Sequence, residues 1–207
     1  VNFQSNTFTW STTVNLTIPK NKLVEFDGLD NSTFANRYVI GQPLSIVKLY
    51  HALGVDPETG QYRFEDFNGD DEIGSPEDRQ WIEDLAPKFY GGLGNSIRFG
   101  NLTLDAFFQF KKQKAYNTVR FDATPGYKGN YHVDLLDRWM EPGDTNPYQR
   151  PSAGFGGGTN LGAFQQESNA AVSDASFIRL RNISLGYELP TNEQGPDINI
   201  YVQGQNL

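Results

Sequence analysis

The chain contains no cysteine, which excludes a disulfide framework, a thiolate metal site and a thiol nucleophile. Histidine is nearly absent too. His51 and His132 are the only two, and without Cys or a His-x-x-x-His spacing they offer no transition-metal site; a strand-end His and a loop His is the plainer reading. No run approaches the roughly 20 apolar residues of a membrane-spanning helix. Gly-x-Ser-x-Gly, Walker and dinucleotide-binding motifs are missing as well. The 17 Lys and Arg are outnumbered by 25 Asp and Glu, and the net charge of −8 argues against nucleic acid, whose phosphates need a basic face. Most of that charge reads as a solvated acidic surface.

What is present favours strands. Hydrophobic residues make up only 37%, yet aromatics reach 14%, with 21 Gly and 11 Pro. That is too aromatic for a disordered chain and too rich in Gly for a helical bundle. Phe8 to Ile18 alternates cleanly: Phe8, Trp10, Val14, Leu16 and Ile18 share one face with Thr12, and Thr and Ser dominate the other. Period-2 alternation of this length predicts a strand able to cross a bilayer at a tilt. Pro19-Lys20-Asn21-Lys22 ends it. A second extended run, Tyr38 to Leu53, is apolar but is interrupted by Gly41 and Pro43. Two alternating runs, Phe89 to Phe99 and Leu102 to Lys111, flank Gly100-Asn101 and predict a tight hairpin. A last pair runs from Phe177 to Leu189 and from Ile198 to Leu207. There Ile183, Leu185, Tyr187 and Leu189 share a face, while Ile178 and Leu180 fall out of phase with them. A slip of one residue near Asn182 predicts a bulge, or a strand leaving the membrane. Short helical turns are expected in Ser75 to Leu85 and Val133 to Met140, and a flexible tip at Gly154 to Gly162.

The connections segregate by length. Two long ones, Gly54 to Lys88 and Asn117 to Ser176, alternate with short ones, the asymmetry of an up-and-down outer-membrane barrel with long extracellular loops. Pro19 to Arg37 fits this least well. A soluble β-sandwich is the competing reading of the same alternation. The run at Val1 and the run at Leu207 both read as interrupted strands, with no secretory leader ahead of them, so a piece of something longer is expected.

One loop carries a candidate metal site. Asp66, Asn68 and Asp70 alternate, followed by Glu72, Glu77 and Asp78, close to the oxygen-ligand spacing of an EF-hand-like calcium loop. Asp71 stands where such a loop wants Gly. The plainer reading is an exposed acidic Asx turn. Adjacent carboxylates such as Glu65-Asp66 and Asp70-Asp71 point to opposite faces of an extended chain and cannot flank one glycosidic bond, so no enzyme is expected. Trp81, Tyr127, Tyr131, Trp139 and Tyr148 lie in the long connections and are candidates for substrate or partner contact.

Several stretches, read in order, resemble a family. "NLTIPKNKLVEF", "YVIGQPLSI", "GVDPETGQYRFEDFNGDDEI", "PKFYGGLGNSIRFGNLTLDAFFQF", "DRWMEPGDTNPYQRP", "SFIRLRNISLGYELP" and "IYVQGQNL" are similar to the C-terminal third of SusC/RagA-type TonB-dependent transporters. The resemblance implies an all-β antiparallel segment of a large barrel, of about 22 strands, in the outer membrane of Bacteroidetes-type bacteria. It implies import of glycan or peptide, a SusD-like lipoprotein as partner and TonB as the energy-coupling partner. Residues 1–207 are then a partial C-terminal portion, without plug domain, TonB box or final strand. The alternative is a soluble carbohydrate-binding module stabilised by calcium.

Overall fold

The computed structural model describes residues 2–122, 126, 129–152, 157–190 and 195–207. In chain order the strands are β1 (Asn2–Gln4), β2 (Phe8–Thr17), β3 (Ile46–Leu49), β4 (Ala52–Val55), β5 (Tyr62–Phe64), β6 (Trp81–Asp84), β7 (Phe89–Phe99), β8 (Leu102–Lys112), β9 (Lys114–Tyr116), β10 (Val172–Asp174), β11 (Phe177–Leu189) and β12 (Ile198–Gln205), with one α-helix, α1 (Gly157–Gln166). They form two compact units.

The first unit is a six-stranded antiparallel sheet in the order β1-β2-β7-β8-β11-β12. Pairing is continuous: β2 runs against β7 from Phe8↔Phe99 to Thr17↔Tyr90, and β7 against β8 from Phe99↔Leu102 to Phe89↔Lys112. Gly100-Asn101 is the two-residue turn expected between them. The register lines up one apolar face across the strands: Trp10, Ile97 and Leu104 in one row, Val14, Leu93 and Phe108 in another. In β11 the register shifts between Leu180 and Asn182. This bulge resolves the slipped pattern. With one residue extruded, Ile178 and Leu180 oppose Phe110 and Phe108, while Ile183 and Leu185 oppose Ala106 and Leu104, so both halves of the strand present their apolar residues on the same face.

That face is uncovered. Val14 is 62% exposed, Ile178 80% and Val202 73%, so the sheet does not form half of a sandwich core. Its polar interruption is self-satisfied: Thr12 Oγ1 donates to Asn95 Oδ1 at 2.7 Å and Trp10 Nε1 to the same oxygen at 3.2 Å. The opposite face carries Thr, Ser and Asn along its middle, with Phe107 among them and Tyr90, Phe177 and Tyr201 toward the strand ends and the last strand. Phe107 lies flat over Gly92, where an added Cβ would come within 2.7 Å of its ring. Phe110 covers Gly91 from the apolar side, and a Cβ there would also overlap the Asn15 carbonyl oxygen. The glycine pair lets two aromatic rings seat on β7 from opposite faces.

The expected barrel strand Tyr38 to Leu53 is corrected. Within it the strand β3 pairs only with β6 in a two-stranded ribbon, and the sheet gains the short β1 instead. Ile46 and Leu49 are both buried, and a run buried on both sides does not alternate. Residues 18–88 are therefore a single excursion from the sheet. Short and long connections alternate without exception along the sheet strands, and both long ones leave and re-enter at the Thr17, Tyr90, Lys112 and Phe177 end.

The second unit, Lys20–Ala86 with Lys114–Asp174, is both excursions folded together. Its core is Tyr50, Tyr62 and Phe64, joined by Leu161 and Phe164, with Tyr50 and Phe164 ring centroids 4.8 Å apart. Full burial of such side chains contributes about 1.5–3 kcal/mol each. Tyr50 N donates to Glu167 O and Asn169 N to Tyr50 O, at 3.0 and 2.9 Å, which stitches the first excursion to the second. The sequence expectations for three loop segments fare differently here. The tip Gly154 to Gly162 lies outside the described residues at 154–156 and is helical from Gly157, because Leu161 and Phe164 gain a core to pack on. Ser75 to Leu85 holds the expected helical turn, with Asp78 N donating to Gly74 O, and then continues into β6, which was not expected. Val133–Asp137 is a 3-10 helix, as expected.

Gly91→Val should prevent β2 from pairing with β7, at a cost of about 1–3 kcal/mol or more, whereas Gly94→Ala, with no atom nearer than 3.8 Å to the new Cβ, should be tolerated. Heat-modifiable gel mobility of the full-length protein in detergent measures this: the folded band should be lost in the first variant and kept in the second.

Candidate functional site

The described candidate residues all lie in the second unit, on turns, loops and short strands. In the acidic loop, the Asp66 carboxylate accepts from Gly69 N at 2.6 Å and from Asp71 N at 2.8 Å. Asn68 Oδ1 accepts from Asp70 N, and Asp70 in turn accepts from Glu72 N and from Asn68 Nδ2. Asp71 takes the left-handed conformation, φ 63°, that the sharp turn demands at a position better suited to Gly. Burial acts to raise the Asp66 pKa, but the amides of Asp71, Gly69, Asp70 and Asn68 outweigh it and hold the carboxyl below its usual range.

Asp78 has a different task. Fully buried, it accepts from Phe67 N at 2.7 Å through Oδ1 and from Gly74 N at 2.8 Å through Oδ2, closing the loop from within. Glu72 and Glu77 remain on the exposed rim. The six sequence candidates thus divide between rim and interior, and among the described residues no group of three or more His, Asp or Glu side chains converges as a metal cage.

The aromatic candidates also divide. Trp139 is an anchor: its indole lies against Gly60 and Nε1 donates to Pro57 O at 2.8 Å. Trp81 stacks on His51 with centroids 4.4 Å apart, and its Nε1 donates to Glu83 at 3.0 Å. His51 Nδ1 is 2.6 Å from Glu65 Oε2. Both indoles are committed to packing. Tyr131 and Tyr148, by contrast, come together in one slot with Tyr62, Val119, Asp122, His132, Leu135, Gly162, Gln165 and Gln166. Tyr127 lies outside the described residues.

Burial pushes the Tyr62 hydroxyl up to about 12. Tyr148 is raised by burial and then by the charges of Asp134, Asp122 and Asp137. Both phenols are therefore neutral at physiological pH and available as donors. Gln166 Nε2 donates to Asp122 O and ties α1 to the wall of the slot. The enclosed volume of about 30 Å³ admits a water or one small polar group, not a sugar ring. Sequence reasoning missed Tyr62, Gln165 and Gln166 here. Tyr62 reads as an ordinary strand residue, and the two glutamines line the slot only once α1 has docked.

No family model matches the chain. Among curated proteins it is 26% identical, over its full length, to TonB-dependent receptor P3 of Formosa agariphila (strain DSM 15362), of which it covers 23%. It is also 31% identical over 132 residues, 62% of the chain and 12% of the relative, to TonB-dependent receptor P39 of the same organism. The chain is related to TonB-dependent receptors. Among solved structures, the RagAB peptide importer in its open-open state matches 99% of the chain and 23% of its own chain, with a TM-score of 0.71 at 21% identity; the closed-closed state gives 0.68. The resemblance read from the sequence therefore agrees with the comparisons in sequence and in fold, and the antiparallel sheet matches a segment of the importer's chain. The chain spans about a quarter of the length of the relatives it matches.

Asp78→Ala should leave the Phe67 and Gly74 amides without their acceptor, at about 1–3 kcal/mol, and raise the rate of limited proteolysis between Gly54 and Lys88. Asp70→Asn, on the rim, should leave that rate near wild type. Equal cleavage of the two variants would show that Asp78 does not hold the loop.

Proposed function

We propose that the chain is the C-terminal part of a TonB-dependent outer-membrane importer that takes up peptides or oligosaccharides together with a SusD-like surface lipoprotein. The observation that carries this reading is the sheet itself. One face is apolar and exposed, the other polar, and both long excursions depart from the same end, which suits a barrel wall with lipid outside, a wet lumen inside and its loops at the cell surface. The whole-length relation to TonB-dependent receptors supports the same assignment. In this reading a plug and TonB box lie elsewhere in the protein, and both long excursions leave the sheet on the side where cargo and lipoprotein arrive. With Trp81 and Trp139 committed to packing, Tyr131 and Tyr148 are the remaining described aromatic candidates for contact with either one, at the rim of a slot too small to admit it. The named relatives are receptors and importers, and the role proposed for the site is accordingly binding, not catalysis.

Epitopes inserted into the full-length protein test the topology. A tag at Gly129, in the second excursion, should label on intact cells. A tag at Gly195, in the short connection after β11, should label only after the outer membrane is permeabilised. Deleting the gene, or collapsing the proton gradient, should abolish accumulation of the cargo. The reverse labelling pattern, or accumulation that persists without the gradient, would refute the assignment.

A further inference from the structure

The second unit holds a recess of about 270 Å³ whose floor is the outer side of β3 and whose rim carries Arg37, Lys48, Arg79 and Tyr116. Two features set it apart. The first is charge. In a chain where acids outnumber bases by 25 to 17, three cations border one small recess. Among the described residues no carboxylate pairs with Arg37 or Lys48. Arg37 rests over the Tyr38 ring, 5.4 Å from its centroid. Arg79 is already engaged: it donates to Lys48 O at 3.3 and 3.0 Å and meets Glu167 at 3.2 Å. The unbalanced charge thus belongs to Arg37 and Lys48.

The second feature is the strand edge. Leu85 N donates to Ser45 O, and the β3–β6 register continues from Ile46↔Asp84 to Leu49↔Trp81. Alternation in an antiparallel pair then turns the backbone groups of Val47 and Leu49 toward β6 and those of Ile46 and Lys48 outward. Arg79 takes the Lys48 carbonyl. The Lys48 N–H and both backbone groups of Ile46 turn toward the recess; among the described residues no strand pairs with β3 there, and the edge is taken only beyond it, at Tyr50, by Glu167 and Asn169.

We propose that the outer edge of β3 receives an extended acidic peptide as an added strand, with Arg37 and Lys48 binding its carboxylates. The backbone groups offered are two residues apart, about 6.6 Å along a strand. A peptide in β conformation repeats its own N–H and C=O at that interval, whereas sugar hydroxyls do not. Main-chain pairing then supplies affinity and the cations supply selection. This inference rests on the importer reading and narrows its cargo at one subsite.

Binding to the full-length transporter in detergent tests it, using a fluorescein-labelled peptide that alternates Val and Glu and ends in a free carboxylate. The probe should bind about tenfold tighter than its amidated Gln analogue at low salt, and that preference should shrink as salt is added. In R37Q/K48Q the preference should vanish while the neutral peptide binds as before, and the folded gel band confirms that the variant is intact. N-methylation of alternate peptide amides should weaken both probes. Equal binding of acidic and neutral peptides, an acid preference that survives in R37Q/K48Q, or equally potent displacement by an oligogalacturonate would each overturn the proposal. A wild type that transports the peptide while R37Q/K48Q retains its preference refutes this subsite alone. A wild type that neither binds nor accumulates peptide or oligosaccharide refutes the importer reading with it.

Discussion

Everything in the first unit depends on backbone pairing carried from β2 through β12, broken only at one bulge among the described residues. A strand that faces hydrocarbon has no water to satisfy a stray N–H or C=O, so its ladder must be complete before its side chains matter. Ten register pairs join β2 to β7 and eleven join β7 to β8, with side chains adjusted to keep them. Gly91 and Gly92 yield space so that Phe110 and Phe107 seat without pushing β2 away. The bulge after Leu180 sacrifices one rung of the β8–β11 ladder and in exchange keeps Ile178, Leu180, Ile183 and Leu185 on one face. Thr12 and Trp10 satisfy the Asn95 oxygen beside them, so even the polar break in that face is closed.

The second unit solves a different problem. Its hydrophobic core is small, with Leu49, Tyr50, Tyr62 and Phe64 among its few buried residues, and much of its order comes from hydrogen bonds between turns. Asp78 holds two amides from inside the acidic loop, Trp139 clamps the Asp56–Gly60 turn, and Tyr50 exchanges backbone bonds with Glu167 and Asn169. Such a scaffold fixes side chains at its rim while its edges stay available, and loops held this way are where recognition concentrates. The tyrosine slot and the cationic recess beside β3 are both products of that arrangement.

A division of labour follows between the units. The sheet supplies one apolar exposed face and one polar face. The folded excursions supply polar and charged groups whose placement is independent of the ladder, because both chain segments return to the sheet at strand ends that are fixed by register. Residues such as Arg37 and Lys48 can therefore be substituted without disturbing the ladder.

Local alternation by itself determined the sheet. The face of Phe8 to Ile18, the Gly100-Asn101 hairpin and the slipped phase near Asn182 were all legible, because period-2 patterning is set by which side of a single strand meets lipid. The similarity to TonB-dependent receptors was legible in the order of the quoted stretches. Tyr38 to Leu53 was misplaced in the sheet because a strand buried on both sides carries no alternation to read, and β3 shows its partner only when Trp81 to Asp84 comes alongside. The α1 helix from Gly157 was hidden for a related reason: glycine-rich sequence does not favour a helix until Leu161 and Phe164 find Tyr50 and Phe64 to cover. Only the tertiary structure decided that the acidic loop splits its carboxylates between rim and interior, that Trp81 and Trp139 are packed while Tyr131 and Tyr148 line one slot, and that the free edge of β3 lies among cations. Those facts depend on contacts between residues tens of positions apart, and no local pattern encodes them.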